Sequence, residues 1–298
     1  MKAFTNLVVY ILLGILWLLV KILPFRLQMN LGSLLGGVLF YALRTRREVA
    51  RVNIGLCFPE LAARDQEKML RENFRSLGRG VFETGISWWA SESFVRRLVT
   101  VEGVDILARA LEAGRGVLLV GGHFTTLDIS CRGLGTAIDF DVSYRPFGIA
   151  PLDAQVIRGR QRGAGVAVAK DNFRLLLRRL KQNRAVWIAV DQADTSQGSV
   201  DARFFGLTAP SASSVARITQ AHGCAVLPLF FARRENLTGY LLQIEQPLQD
   251  FPSGNLVADA ERLNAVVEKH VRQIPDQYYW IHRRFKGQPD PYKQLKRS

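Results

Sequence analysis

His123 and Asp128 are the residues of this chain whose types and spacing best suit catalysis; they stand in GVLLVGGHFTTLDIS, residues 116–130. An imidazole removes a proton from a weak nucleophile best when a carboxylate fixes its tautomer and stabilises the imidazolium. On a uniform helix, turning about 100° per residue, positions five apart face different ways. A strand–turn–helix break lets Asp128, in the first helical turn, swing back towards His123. The neighbouring residues supply such a break. Residues 117–120 (VLLV) form a continuous apolar run typical of a strand buried on both faces. Gly121 and Gly122 end it in a turn where backbone can approach a ligand without a Cβ in the way. Thr125 or Thr126 can then N-cap the helix that carries Asp128. Taken alone, a His–Asp pair at a helix start is more often a cap and a satisfied polar residue; the two glycines and the buried strand shift the balance towards chemistry. Backbone N–H groups at the turn after Gly121 are candidate donors for an oxyanion. Cys131 as a nucleophile would need His123 as its base from a full helical stretch away. A metal site would need a third ligand, and none is evident in the sequence.

Other candidate residues follow from the elements that must position them. Residues 141–145 (DVSYR) read as a strand stopped by Pro146, and residues 185–191 (AVWIAVD) as another buried strand. Strands alternating with helices indicate an α/β fold with a largely parallel sheet flanked by helices. In such sheets ligands gather at the C-terminal strand ends, where His123, Arg145 and Asp191 all stand. A helix over 151–162 carries Arg158, Arg160 and Arg162. The planar fork of arginine suits a phosphate or an acidic donor, so Arg160 is expected to bind substrate rather than support the fold. Further helices are expected over 63–89 (one long amphipathic helix or a broken pair), 171–183, 210–223 and 256–274, with strands at 165–169 and 225–232 and a hairpin partner at 240–245. In the 171–183 helix, Arg174, Arg178 and Lys181 form a stripe apart from the apolar face; it is either a solvated face or a dock for an acidic partner. His222, His270 and His282 are expected to matter much less than His123 to a chemical step. The chain closes on an aromatic and basic segment, QYYWIHRRFK, residues 277–286.

Composition sets the frame. The 298 residues suffice for one large α/β domain, and 40 Lys and Arg against 26 Asp and Glu give a net charge of +14. Such a charge favours an anionic partner: nucleic acid, acidic phospholipid, a phosphorylated substrate or an acidic protein. Cys57, Cys131 and Cys224 are scattered, without the spacing of a disulfide framework or zinc site, and fit a reducing compartment. Residues 7–20 carry no charged side chain and cover ~21 Å as a helix; extension to residues 3–25 reaches spanning length. The small-residue cleavage site of a signal peptide is missing. Residues 1–25 are therefore read as an uncleaved membrane anchor, spanning or lying in the interface, and residues 26–298 as a single α/β domain. Lys21, Arg26, Arg44, Arg46, Arg47 and Arg51 follow the run, which places the bulk of the protein in the cytoplasm. Residues 31–43, too short to span, are expected to pack on the anchor or bed in the interface.

These segments also resemble a known family. GVLLVGGHFTTLD is similar to the His-x4-Asp motif of the glycerolipid acyltransferase superfamily. NIGLCFPEL (53–61), ENFRSLGRGVFETG (72–85), YRP (144–146) with GRQR (159–162), DQ (191–192), FFG (204–206) and YYWIHRRFK (278–286) narrow the resemblance. They point to the lipid A biosynthesis (lauroyl/myristoyl) acyltransferases of Gram-negative bacteria, over nearly the whole chain. The resemblance implies transfer of a fatty acyl group from acyl carrier protein. The acceptor it implies is a hydroxyl on an acyl chain of a phosphorylated glucosamine disaccharide, a lipid A precursor. It places the enzyme at the inner membrane with its catalytic domain on the cytoplasmic side, and involves no cofactor, metal or nucleic acid. By the motif match His123 is the base and Asp128 its partner. Arg160 matches the arginine of the second motif block and Asp191 lies near the third; with Arg145 and Arg162 these are the expected substrate-binding residues. Relatives commonly read Asp-Gln-Asp or Asp-His-Asp where this chain has DQAD, which leaves Asp194 without a role. Two alternatives stand beside this reading: an acyltransferase with another glycolipid acceptor or a coenzyme A donor, and a membrane-anchored basic module that binds anionic lipid without chemistry.

Overall fold

The computed structural model describes residues 2–144, 147–169, 172–287 and 290–296. Among them, the chain begins with helices α1 (Lys2–Ile22), α2 (Phe25–Ala42), α3 (Arg44–Cys57) and α4 (Ala63–Trp89). Helix α5 (Glu92–Leu98) delivers strand β1 (Val99–Glu102), and α6 (Val104–Glu112) leads to β2 (Val117–Gly121). Helix and strand then alternate: α7 (Leu127–Leu134), β3 (Phe140–Tyr144), α8 (Ala150–Arg160), β4 (Ala167–Ala169), α9 (Phe173–Lys181) and β5 (Ala185–Ala189). A hairpin of β6 (Ser199–Phe204) and β7 (Leu207–Ala212) precedes α10 (Ser214–His222), β8 (Ala225–Arg233), β9 (Tyr240–Ile244) and α11 (Leu256–Gln273).

The described residues form a seven-stranded sheet in the order β1-β9-β8-β2-β5-β3-β4. As the VLLV run predicts, β2 lies inside the sheet with all five of its residues buried. It pairs in parallel with β5 on one side and β8 on the other, and β3 and β4 continue in the same direction. The β8–β9 hairpin is antiparallel, and β1 runs parallel to β9, so these two strands at one side of the sheet oppose the rest. The sheet is therefore mostly parallel and flanked by helices, an α/β fold. Its register decides the site, because Gly121 is level with Ala189. His123 and Asp191, each two residues beyond those positions, emerge side by side.

Two strand features depart from the sequence expectation. The helix expected over 210–223 begins only at Ser214, because Leu207–Ala212 pairs antiparallel with Ser199–Phe204. The two-residue connection, Phe205-Gly206, has positive φ at both positions (53° and 73°). This is the geometry of a tight hairpin turn, in which phenylalanine is unusual. Phe205 is held there by edge-on packing against Phe58 and Phe204, at centroid distances of 5.3 and 4.9 Å. Strand β1, too short and mixed to stand out in the sequence, is ordered by its four-residue register with β9.

The N-terminal helices pack through glycine. Gly36 of α2 and Gly78 of α4 let two backbones touch: a Cβ at Gly36 would lie 2.2 Å from the Phe74 carbonyl oxygen, and one at Gly78 2.1 Å from that of Gly32. Residues 31–43 thus pack on α4 rather than on α1, leaving Leu27, Leu34, Val38 and Tyr41 exposed along the outer face of α2. Within α1, Phe4–Ile22 is apolar and almost wholly exposed, and its 19 residues are long enough to cross a membrane. Its last turns do join the fold. Val20 is buried, with its Cγ2 2.9 Å from where a Cβ on Gly85 would be, and Lys21 Nζ donates to the Trp89 carbonyl at 2.9 Å. Phe25 stands edge-on to the buried Tyr240 at 6.3 Å. Deleting residues 2–14 is expected to leave the urea unfolding midpoint in detergent unchanged. Deletion through residue 25 removes the Val20 and Phe25 contacts and is expected to cost about 2–4 kcal/mol, from ~1.5–3 kcal/mol per buried apolar side chain. Equal midpoints for the two truncations would show that the end of α1 adds nothing to the fold.

Candidate active site

The carboxylate on the His123 imidazole is Asp191. Its Oδ1 lies 2.7 Å from His123 Nδ1, and its Oδ2 accepts the His123 backbone N–H at 2.9 Å. Asp191 is 3 % exposed and also receives the Tyr278 hydroxyl. Burial alone would raise its pKa; the His123 ring and these hydrogen bonds outweigh that and bring it down to about 2. An ionised carboxylate only accepts hydrogen bonds, so the proton of a neutral ring sits on Nδ1 and Nε2 keeps its lone pair. The Gln192 carboxamide nitrogen stands 3.3 Å from that Nε2, an arrangement in which the amide donates. Gly122 makes room for the pairing, since a Cβ there would press to 2.8 Å from Val267 Cγ1.

Asp128 lies elsewhere, which corrects the expectation that it swings back to the ring. Thr126 is the N-cap of α7, and Asp128 in the first turn faces α4 and α8. Its Oδ2 accepts from Thr84 Oγ1 at 3.1 Å and its Oδ1 from Arg160 Nε at 3.4 Å. The intervening Phe124 is buried in the core against Phe231 and Tyr278, each at 5.5 Å, and keeps the turn from folding Asp128 onto a ring already held from β5. Asp191, expected on the substrate side, thus takes the place at the ring expected for Asp128. Arg160, expected to bind substrate rather than support the fold, is mostly buried in an ion pair with Asp128. Arg162 is exposed and donates to the Ala90 carbonyl at 3.1 Å, at the C-terminus of α4. Arg145 lies outside the described residues. Asp194 accepts the Ser196 N–H at 2.9 Å and shapes its own loop.

The turn is clamped by residues whose roles the sequence did not reveal. Thr125 N–H donates to the Gln277 carbonyl at 2.8 Å and Tyr279 N–H to the His123 carbonyl at 3.0 Å, so the aromatic-basic segment lines the site. Tyr278, Trp280, Arg284 and Phe285 of that segment are buried. Because the His123 and Thr125 amides are committed to Asp191 and Gln277, neither is free to bind an oxyanion. Beneath the turn, Arg233 at the end of β8 makes a two-point ion pair with Glu83, at 2.6 and 2.8 Å. Arg233 also reaches Ser76 Oγ at 2.9 Å, and Ser76 Oγ is 2.8 Å from Thr125 Oγ1. Burial lowers the Arg233 pKa, but Glu83 carries it back above the ordinary arginine value. Glu83 falls within ENFRSLGRGVFETG, on the buried face of an amphipathic pattern. A charge at an apolar position was the available signal.

Two cavities lie on either side of the chain around the His123 turn, one lined by residues from Leu127 onward and the other by His123 itself. One encloses about 340 Å³, open mouth included, between α7 and the sheet. Its walls are mainly Leu127, Leu134, Phe140, Val142, Leu229 and Phe231, with Asp128 and Arg160 also at its edge. Cys131 lines it too, and burial pushes its thiol up to about 12, far from the thiolate a nucleophile requires. The other, about 250 Å³, is polar and is lined by His123, Asp191, Gln192, Tyr279, His282 and Arg284 among others. Trp187 belongs to the apolar cavity, and its ring stands edge-on to His123 at 6.4 Å. The imidazole therefore lines the polar cavity, with Trp187 of the apolar one edge-on to it.

Comparison with known proteins identifies the family. The profile of the family described as bacterial lipid A biosynthesis acyltransferase matches residues 2–287. The chain is 37% identical over 278 residues to a lipid A biosynthesis palmitoleoyltransferase of Escherichia coli (strain K12), covering 93% of this chain and 90% of that protein. It is 30% identical over 279 residues to the lipid A biosynthesis lauroyltransferase of the same organism, covering 93% and 91%. A lipid A biosynthesis acyltransferase of Haemophilus influenzae is 30% identical over 280 residues, covering 92% and 89%. A match along the whole sheet and both sides of the His123 turn, at these identities, means that the chain belongs to the bacterial lipid A biosynthesis acyltransferase family.

Proposed function

We propose that this acyltransferase moves a fatty acyl group from acyl carrier protein to a hydroxyl of an acyl chain on a lipid A precursor, with His123 as general base and Asp191 as its orienting carboxylate. The observation that carries this reading is the Asp191–His123 pair, which leaves a basic Nε2 facing the polar cavity. The acceptor hydroxyl enters that cavity, takes the place of the Gln192 amide on Nε2, and gives its proton to Nε2 as its oxygen attacks the thioester carbonyl. The carbonyl oxygen becomes an oxyanion, and the Gln192 carboxamide is the donor nearest the reacting nitrogen that can serve it. Collapse of the tetrahedral species expels the donor thiolate, which takes the proton from the imidazolium. The acyl chain lies in the apolar cavity, with the Asp128–Arg160 pair at its edge. The relatives' names carry different acyl groups, so chain length is assigned to the walls of this cavity rather than to the base. Mass spectrometry of lipid A from cells with and without the gene tests the reading; loss of one ester-linked acyl mass is the expected result, and an unchanged lipid A overturns it.

The apolar helices support a membrane seat. Helix α1 anchors the enzyme in the inner membrane, and the exposed apolar face of α2 (Leu27, Leu34, Val38 and Tyr41) beds in the interface beside it. Arg44, Arg46 and Arg47 follow α2, where anionic headgroups and the cytoplasmic side attract positive charge. For the donor, Arg174, Arg178 and Lys181 are exposed along α9 and form a docking stripe for acyl carrier protein, which is small and acidic. Raising ionic strength to about 0.5 M contracts the Debye length well below its ~10 Å value at 0.1 M. Catalytic efficiency with the carrier protein is expected to fall steeply, while turnover at saturating donor changes less. Reversing all three charges to Glu is expected to reproduce that fall at low salt and flatten the remaining salt dependence. A triple variant that behaves as wild type moves the dock elsewhere; equal efficiency with acyl-coenzyme A removes the carrier-protein assignment.

A further inference from the structure

His282 was expected to be remote from the chemistry, yet it lines the polar cavity together with His123 and Gln192. Its main chain is fixed independently of its ring. The His282 N–H donates to the Tyr279 carbonyl at 3.3 Å, and its carbonyl accepts from Asn53 Nδ2 at 2.8 Å. Asn53 also holds the Trp280 carbonyl at 2.7 Å, so α3 pins the segment on both sides of the histidine. The ring has no comparable anchor at one atom: Nε2 is buried and has no hydrogen-bond partner among the described residues. A buried polar nitrogen left unpaired costs roughly 1–3 kcal/mol, so a site that keeps one has a use for it or fills it from outside. Burial, helped by the nearby His123, Lys286 and Arg284 and opposed by Asp191, lowers the His282 pKa to about 4. At neutral pH this imidazole is uncharged and offers one N–H and one lone pair.

We propose that His282 is a second histidine of the active site, whose Nε2–H donates to the oxygen of the acceptor hydroxyl and aims it at His123. This rests on the acyl-transfer reading above and names the group that holds the acceptor. The assignment of donor follows from the chemistry of a hydroxyl. Its single proton is given to His123 Nε2 and one lone pair attacks the carbonyl, so a further neighbour can only donate to the remaining lone pair. A neutral imidazole does this without placing a second full positive charge beside the base. Gln192 then serves the oxyanion and His282 the nucleophile, in the cavity that His123 also lines.

The test is steady-state transfer by the full chain in detergent, from acyl carrier protein to a tetraacylated, bis-phosphorylated glucosamine disaccharide, varying each substrate in turn. His282→Ala is expected to lower kcat/KM for the acceptor about 10- to 100-fold, mainly through KM, as loss of one buried hydrogen bond. The KM for the donor is expected not to move. His282→Gln, whose amide nitrogen can stand in for Nε2, is expected to recover most of the loss, whereas His282→Asn, with a shorter reach, is not. In wild-type protein labelled with 15N-histidine, the Nε2 resonance that vanishes in His282→Gln is expected to shift when the disaccharide is added. Unchanged acceptor kinetics in His282→Ala, equal losses for donor and acceptor, or an Nε2 resonance blind to the disaccharide each overturn the proposal. If wild-type protein transfers nothing to the disaccharide, the acyl-transfer reading itself fails, a result distinct from any of these.

Discussion

Replacing His123 by alanine is expected to lower acyl transfer roughly 10²–10⁴-fold, the usual share of a general base, in a protein that still folds. A secondary hydroxyl is a poor nucleophile, and Nε2 is the lone pair in the polar cavity whose tautomer is fixed by a buried carboxylate. Folding should survive because the ring is partly exposed, and Asp191 would keep the residue-123 backbone N–H and the Tyr278 hydroxyl as partners. Single-turnover transfer measured beside near-ultraviolet circular dichroism separates the two. More than a tenth of wild-type turnover in the folded variant removes His123 from the base role. His270→Gln supplies a contrast: that ring is buried and bonded to Glu245 at 3.0 Å, so its loss should lower stability rather than the chemical step.

Replacing Asp191 by asparagine is expected to cost as much or more, about 10⁴-fold in kcat by analogy with the orienting aspartate of serine-protease triads. A carboxamide that presents N–H to Nδ1 drives the ring proton to Nε2, and the base then points its lone pair the wrong way. The same variant has a pH signature. The folded pKa of Asp191 is lowered to about 2 from an unfolded value of about 3.9. Its contribution to stability, about 2–3 kcal/mol, is therefore fully present above pH ~4 and lost as pH falls towards 2. Urea unfolding measured between pH 2 and 6 should show that loss in wild type and less of it in Asp191→Asn. Asp128→Asn should behave differently, because that carboxylate acts through Arg160. Its effect on transfer should overlap with that of Arg160→Ala in a double-mutant cycle, while those of Asp191→Asn and Arg160→Ala add. A cycle coupling Arg160 to Asp191 as strongly as to Asp128 would overturn this division of labour.

Legibility followed the range of the forces involved. Helix α4 occupies Ala63–Trp89, the span its amphipathic pattern predicts, because an apolar face repeating every three to four residues is a local signal. Strand β2 and the β8–β9 hairpin were legible for the same reason. Strand β1 was not, since four residues with every second one half-buried become a strand only when β9 lies beside them. The aromatic-basic segment carried no sign of its burial in its composition, yet Tyr278, Trp280, Phe285 and Arg284 lie in the core, with the guanidinium held by the Pro210 carbonyl and Ser211 Oγ. Composition reports the charge of a side chain but not the partners that cancel it.

The site divides along the same line. By itself the sequence singled out His123 as the candidate base, and determined the glycine turn that presents it, the buried strand behind it, and an α/β sheet with the candidate site at its strand ends. These depend on residues within about one helical turn of each other, or on alternation along the chain. Only the tertiary structure decided which carboxylate is bonded to the His123 ring. Asp128 is five residues from His123 and Asp191 is sixty-eight, but parallel pairing sets Gly121 level with Ala189 and so brings Asp191 to 2.7 Å. The same register leaves Asp128 to Arg160 and Thr84. It also fell to the tertiary structure to bring the 278–284 segment against the His123 turn and place His282 in its cavity. Strand register and long-range closure arise from packing and hydrogen bonds between distant segments, which no local pattern in the chain records.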